Sequence, residues 1–377
     1  MISPRPDLLA LDESHFHEVC MAVNNKDNTD PRKNLFKQDL LKLSECLLAE
    51  DIYSMSDSYI TDRLSVLGLF LNWALALDSR NGYTLSKPMR LLLDNLCEKW
   101  IPEHDKYVFA VTDGDYSVQR YVPNVEVALE NVRNLFGVSF SHQLVIFRVP
   151  KHLAGDFLYS CVLYHEMGHF VESYHNISCQ ICNDILVGLT DGSLTDSFLH
   201  EFFPYSLGYL HIDRSRFITC IFMQIGEYVA DLFGAQYVGK NICNLMESLC
   251  HKSYGINDIE HPSPNLREKM VEDFVNGITT NVLLNMITTE FSKKTLALKP
   301  RFKVLSDGAK LKVGEPLSIC DDDELHSIIN LGWEVYFSKA STMEALLGMP
   351  LNSIDKYSFY NRINEGIKTS IDNYFPH

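Results

Sequence analysis

Apolar residues recur at helical spacing through the first hundred positions. From Asn34 to Glu50, the residues Leu35, Phe36, Leu40, Leu41, Leu43, Leu47 and Leu48 follow a 3.6-residue period, which predicts a helix with one buried stripe. The same pattern predicts helices over Asp57–Leu77 and Lys87–Trp100. Asp30 with Pro31, Ser56 and Ser86 stand where N-caps belong, and Pro102 ends the third helix. From Lys106 the texture turns β-rich. Tyr107–Thr112 reads as a strand, Asp113-Gly114-Asp115 as a turn and Ser117–Val122 as its hairpin partner. A short helix is expected from Asn124 to about Phe136, and one or two strands over Val138–Val149, ended by Pro150.

A long helix is predicted from Asp156 onward. Between 177 and 212 the helical pattern runs through Cys182 and Leu186 and is then broken at Gly192, Pro204 and Gly208. Arg214–Val238 is a long apolar helix and Asn265–Asn276 a shorter one. Phe302–Val313 reads as a β-hairpin around Ser306-Asp307-Gly308, and Asp321–Lys339 and Ser353–Tyr374 as helices. The changes of texture divide the chain into a helical region 1–103, a mixed region 104–300 and a hairpin-plus-helix region 301–377. The fold class expected is α+β, predominantly helical, with one small sheet.

A length of 377 residues with 46% hydrophobic and 22% charged positions is that of a globular chain of two or three domains, or of one domain with large additions. The net charge of -16 sets the chain against phosphate backbones, and the basic residues cluster only in pairs such as Arg32-Lys33 and Lys293-Lys294. No nucleic-acid partner is therefore expected. No uninterrupted apolar run reaches membrane length. The most hydrophobic stretch, Ser65–Leu77, is broken by Asn72, so no membrane span is expected. The first residues, with acids and prolines among them, do not read as a signal peptide, and a cytoplasmic location is expected. The ten cysteines are scattered through helical patterns, which reads as reduced thiols; the single CxxC, Cys179–Cys182, cannot make a four-thiolate metal site.

The chemistry concentrates at residues 165–169, His-Glu-Met-Gly-His, an HExxH motif. On a helix, His165 and His169 lie about 40° apart on one face and one turn along, so both imidazoles can grip one Zn²⁺. Glu166 is then placed to accept a proton from a water at the open position. Two residues compete for the third ligand position. Glu227 shares a helix face with Asp231 inside the apolar run Phe222–Phe233, where a pair of acids is costly unless something cationic meets it. Glu227 would complete a His₂Glu site and Asp231 would accept the free ring N–H of a ligand histidine, His165 for preference. Ala230 and Gly234 are small enough to let this helix approach the first. The rival is His175, at the spacing of HExxHxxGxxH, but Glu172 occupies the glycine position and the helix is expected to carry His175 past the metal.

The order HExxH, Glu227-x-x-x-Asp231, then His261-Pro262 and Arg267 resembles the gluzincin zinc metallopeptidases. It is most similar to the group of the CAAX-prenyl endopeptidases and their bacterial heat-shock relatives, over about residues 140–275. That resemblance implies a zincin-like metallopeptidase core across 104–300, flanked by helical regions at both ends. It implies an endopeptidase that hydrolyses an intracellular protein or peptide through a zinc-bound water, with Glu166 as general base. It also implies that His261 binds the carbonyl oxygen of the scissile bond and that Arg267 supports the cleft. Many relatives are membrane-embedded, which this chain's apolar pattern does not match. The strand ending at Arg148-Val149-Pro150 reads either as an edge to which an extended substrate could add or, since Leu144–Phe147 is apolar throughout, as a strand inside a sheet. Two other readings fit the same residues: a zinc site that only holds helices together in an interaction or regulatory protein, and a zinc hydrolase acting on a non-peptide bond.

Overall fold

The computed structural model of the chain describes residues 5–23, 30–77, 85–113, 132–134, 137–149, 155–243, 259–347 and 353–375. The described residues are α+β and predominantly helical, and they form two compact units. The first unit holds helices α1 (Pro6–Val23), α2 (Pro31–Leu48) and α3 (Asp57–Leu77) with strands β1 (Tyr107–Asp113) and β2 (Gln143–Val149). Pro31 opens α2, where its missing N–H is no loss, and the Asp30 side chain accepts from Arg32 N at 3.0 Å. Ser56 caps α3 by accepting from Tyr59 N at 3.3 Å. Ser86, before the next helix, makes no such bond, because its hydroxyl is buried without a hydrogen-bond partner.

β1 and β2 pair in parallel, with Tyr107 opposite Gln143 and Asp113 opposite Val149. Both faces are buried, which accounts for the continuous apolar runs. Val108, Ala110, Leu144 and Ile146 join Phe36, Leu40, Phe70 and Trp73 in one core, and Phe109 stacks on Phe147 at 5.8 Å. A parallel pair cannot be a hairpin, because its two strands must be joined by a crossover. The expected hairpin partner Ser117–Val122 lies outside the described residues, as do most of the short helix from Asn124 and the side chains of 148–150.

The second unit contains α4 (Lys87–Trp100) and everything described from Gly155 on. Its helices are α5 (Cys161–His175), α6 (Ile177–Asp191), α7 (Asp196–Phe202), α8 (Arg214–Val238) and α9 (Pro264–Val275). They continue with α10 (Val282–Lys293), α11 (Gly308–Lys312), α12 (Asp322–Leu347) and α13 (Ser353–Tyr374). By contact, the strands group with the first three helices, and the C-terminal helices with α5 and α8. By length and composition, α3 and α8 are both long and apolar enough to cross a membrane. For α8 the apolar window is 78% buried inside the protein.

Two expectations from the sequence are corrected here. The helix after Pro150 starts at Cys161 rather than Asp156. The Asp156 carboxylate is instead taken by Tyr360 Oη at 2.7 Å and Asn364 Nδ2 at 3.0 Å, and Trp333 Nε1 donates to Leu158 O at 2.8 Å. The C-terminal helices therefore fix the turn that launches α5. Phe302–Val313 is no hairpin: Arg301 N and Phe302 N donate to Gln236 O, Lys303 N donates to Ser327 Oγ, and Gly308 begins the short helix α11.

Helices α5 and α8 are packed together without a side chain between them at Gly168. A Cβ there would stand 2.7 Å from Ala230 Cα and 2.9 Å from Phe233 Cβ. In a free helix, Gly→Ala would stabilise by about 1 kcal/mol. Here Gly168→Ala is expected to destabilise the chain by about 1–3 kcal/mol, the usual cost of overpacking. Urea unfolding checks the sign; a stabilised variant would mean that the helices are not in contact at this point.

Candidate metal centre

The apolar faces of α5 and α8 dictate where the polar residues meet. Phe170, Val162 and Met167 on one helix and Ile225, Val229 and Phe233 on the other are buried, and among them the two helices bring their few acids and histidines together in the interior. His165 and His169 project from successive turns of α5, their rings edge-on with centroids 4.7 Å apart. The two Nε2 atoms lie 3.1 Å apart. Glu227, on α8, places Oε2 3.6 Å from His165 Nε2 and Oε1 3.4 Å from His169 Nε2. The three residues offer ligand atoms that all lie within 4.8 Å of one another, and they can hold a metal ion.

The donor set and its spacing fit zinc. Four ligands placed tetrahedrally at about 2.0 Å from an ion stand about 3.3 Å from each other. Two imidazole nitrogens and a carboxylate are one of the donor sets of open zinc sites. His165 is also held in the tautomer that this requires. Its Nδ1 donates to Asp231 Oδ1 at 3.0 Å, so the lone pair is on Nε2, facing the other ligands. Asp231 is in turn gripped by Arg267, with Nε to Oδ2 at 2.6 Å and Nη2 to Oδ1 at 2.7 Å. The same guanidinium reaches Glu227 Oε2 at 3.2 Å.

Electrostatics follow from that arrangement. Burial works against the Glu227 carboxylate, but Arg267 and the two imidazoles overrule it and hold its pKa well below the usual range. Asp231 is likewise pushed up by burial and brought down further by Arg267 and His165. Burial disfavours charge on His169, yet Glu227, Glu166 and Glu172 raise its pKa to about 9. The centre attracts positive charge, and without an ion a proton on His169 supplies it. Below about pH 9, metal must displace that proton. Uptake of Zn²⁺ at neutral pH is therefore expected to release about one proton from His169, and the affinity to rise with pH until about 9. Calorimetry in two buffers of different ionisation enthalpy reads the proton count directly. No proton release at neutral pH would contradict the assignment.

The remaining residues fall as follows. Glu166 is 1% exposed and close enough to act on His169 electrostatically. His261 precedes α9, is 40% exposed, and places Nε2 3.8 Å from Glu227 Oε1, so it stands at the open side of the centre. His175 is not brought to the metal residues. The helix runs on through Glu172, His175 hydrogen-bonds through Nε2 with Trp100 O at 2.8 Å, and the chain turns only afterwards, at the left-handed Asn176 (φ 55°). Sequence reasoning treated Glu172 only as a missing glycine. It is a third buried acid beside the ligands. Its Oε1 and the His169 Nδ1 both border Gly226 on α8, 3.5 and 3.9 Å from where a Cβ would stand. The signal was its spacing: Glu172 follows His169 by three residues, on the same helical face. No family profile, curated protein or solved structure matches the chain.

Proposed function

We propose that this protein is a zinc-dependent endopeptidase, acting in the cytoplasm on a protein or peptide substrate. One observation carries the reading: two imidazoles and a carboxylate converge at 3.1, 3.4 and 3.6 Å, the separations of zinc ligands, with a buried glutamate beside them. The order of residues, resembling that of gluzincin metallopeptidases, supports it further.

In this reading His165, His169 and Glu227 hold the ion. Zinc in such a set acts as a Lewis acid and lowers the pKa of water towards about 7. Glu166 takes the proton from the attacking water and passes it to the nitrogen of the leaving amine. His261, at the open side, donates a hydrogen bond to the carbonyl oxygen as negative charge gathers there. Asp231 and Arg267 do not touch the substrate. They fix the His165 ring and neutralise the acids that would otherwise repel one another.

The test is peptide hydrolysis by the purified chain before and after removal of metal. A fluorogenic peptide or casein should be cleaved, the cleavage should stop with a chelator, and stoichiometric zinc should restore it. Glu227→Ala should lower metal affinity by more than the about 10–100-fold typical of losing an outer partner. Unchanged metal content in that variant would remove Glu227 from the ligand set. Bound zinc with no hydrolysis of any peptide would make the centre structural or assign it to another bond.

A further inference from the structure

A second polar site lies within the same unit, away from the metal residues. A cavity of about 600 Å³ is formed by the end of α4, the segment after α10 and the first turn of α12. Its apolar wall is the Trp100 indole with Leu296 and Ala297. Thr295, left-handed at φ 61° where α10 ends, turns the chain into that wall.

The charges around the cavity balance in number but are not all joined in ion pairs. Lys99 Nζ pairs with Asp322 Oδ2 at 3.2 Å, and Asp321 pairs with Lys303. Among the described residues Arg301 is left without a carboxylate in an ion pair. Its Nη2 donates to Ala297 O at 3.3 Å, its guanidinium stands 5.9 Å from the centre of the Trp100 ring, and its Nε is buried with no hydrogen-bond partner. Asp323 likewise enters no ion pair among the described residues. Arg301 and Asp323, neither in an ion pair among the described residues, therefore line a cavity with an aromatic wall, Asp323 acting at longer range on Lys303. A purely anionic ligand would meet three aspartates, and a purely cationic one would meet Lys99 and Arg301. A ligand with both charges satisfies both sides.

We propose that this cavity binds a small zwitterion, an α-amino acid or dipeptide, with its carboxylate on Arg301, its ammonium on Asp323 and its side chain against Trp100. Trp100 ties the cavity to both metal-bearing helices. Its indole N–H donates to Tyr237 Oη on α8 at 2.7 Å, and its carbonyl is bonded by His175 at the end of α5 at 2.8 Å. An endopeptidase at the metal centre would release longer peptides, so free amino acids and dipeptides would reach this site only after further cleavage by exopeptidases. The binding itself does not rest on that reading, and its test measures binding, so the two can fail separately.

Calorimetric titration of the full chain with L-leucine, Ala-Leu, N-acetyl-Ala-Leu and Ala-Leu amide tests the proposal. At least one of the two zwitterions should saturate a single site per chain. Blocking either charge of Ala-Leu should weaken binding about tenfold or more, the worth of one charged hydrogen bond. Arg301→Met and the near-isosteric Asp323→Asn should each weaken the zwitterion to the same degree while leaving metal content unchanged. The proposal is overturned if neither zwitterion binds saturably, if a blocked dipeptide binds as well as Ala-Leu, or if Asp323→Asn binds as the parent does.

Discussion

Glu166→Gln is expected to bind zinc as tightly as the parent chain and to lose hydrolysis by about 10²–10⁴-fold, the usual contribution of a positioned general base. The substitution keeps shape and volume and removes only the ability to accept and return a proton. None of the three ligand atoms belongs to Glu166, so the convergence of His165, His169 and Glu227 is left in place. A side chain that is 1% exposed and buried next to two imidazoles has a second possible role, that of a structural anion. The two roles separate in the measurement. Loss of a structural anion would lower stability and metal content together with rate. Loss of a base lowers the rate alone. Equal cleavage by Glu166→Gln and the parent chain would remove this residue from the chemistry.

The convergence of His165, His169 and Glu227 was legible in the sequence because each signal was local. Positions i and i+4 of a helix share a face whatever the rest of the chain does, so His165 and His169 could be paired on sight. Glu227 and Asp231 stood out because two acids in an apolar helix need a cationic partner, and buried surroundings make that need strict. What the pattern could not carry was anything set by distant partners. The helix start slipped from Asp156 to Cys161 because the turn at Asp156, whose carboxylate accepts from Tyr159 N at 3.2 Å, is held by Tyr360 and Asn364, 204 and 208 residues along the chain. The grouping of β1 with β2 depends on a parallel pairing across residues 107 and 143, and no local turn encodes it.

The hairpin expected around Ser306-Asp307-Gly308 failed for a different reason. Asp-Gly between apolar residues signals a tight turn, and a tight turn serves a helix start as well as a pair of strands. The flanking residues give their backbone N–H groups to Gln236 and Ser327, so no strand partner is left for them. Helix α10 had no counterpart in the pattern reading at all. Its Val, Ile and Thr residues blur the period, and it is set by the Asn281 side chain accepting from Leu284 N at 2.9 Å.

Arg267→Met should be the most destabilising of the substitutions considered, by about 3–5 kcal/mol in the metal-free chain at neutral pH. The guanidinium touches both buried acids, Asp231 at 2.6 and 2.7 Å and Glu227 at 3.2 Å, and those acids are 2% and 5% exposed. Without it, two carboxylates share an interior with only the imidazoles to balance them. The pH dependence gives the cause. In the parent chain both acids have lowered pKa values, Arg267 being the leading force against burial. Their stabilising contribution is therefore full above the ordinary carboxylate pKa, about 4, and is lost as pH falls through the lowered values. In the variant the acids regain protons at higher pH, so the gap between the two chains should be widest at neutral pH and narrow on acidification towards about pH 4. Zinc should narrow it as well, because the ion meets the charge on Glu227, although Asp231 would still depend on His165 alone. Urea unfolding of both chains, with and without zinc, measures each of these differences. A gap that stayed constant with pH would mean that Arg267 acts through packing, and the electrostatic account of how α8 tolerates its two acids would have to be given up.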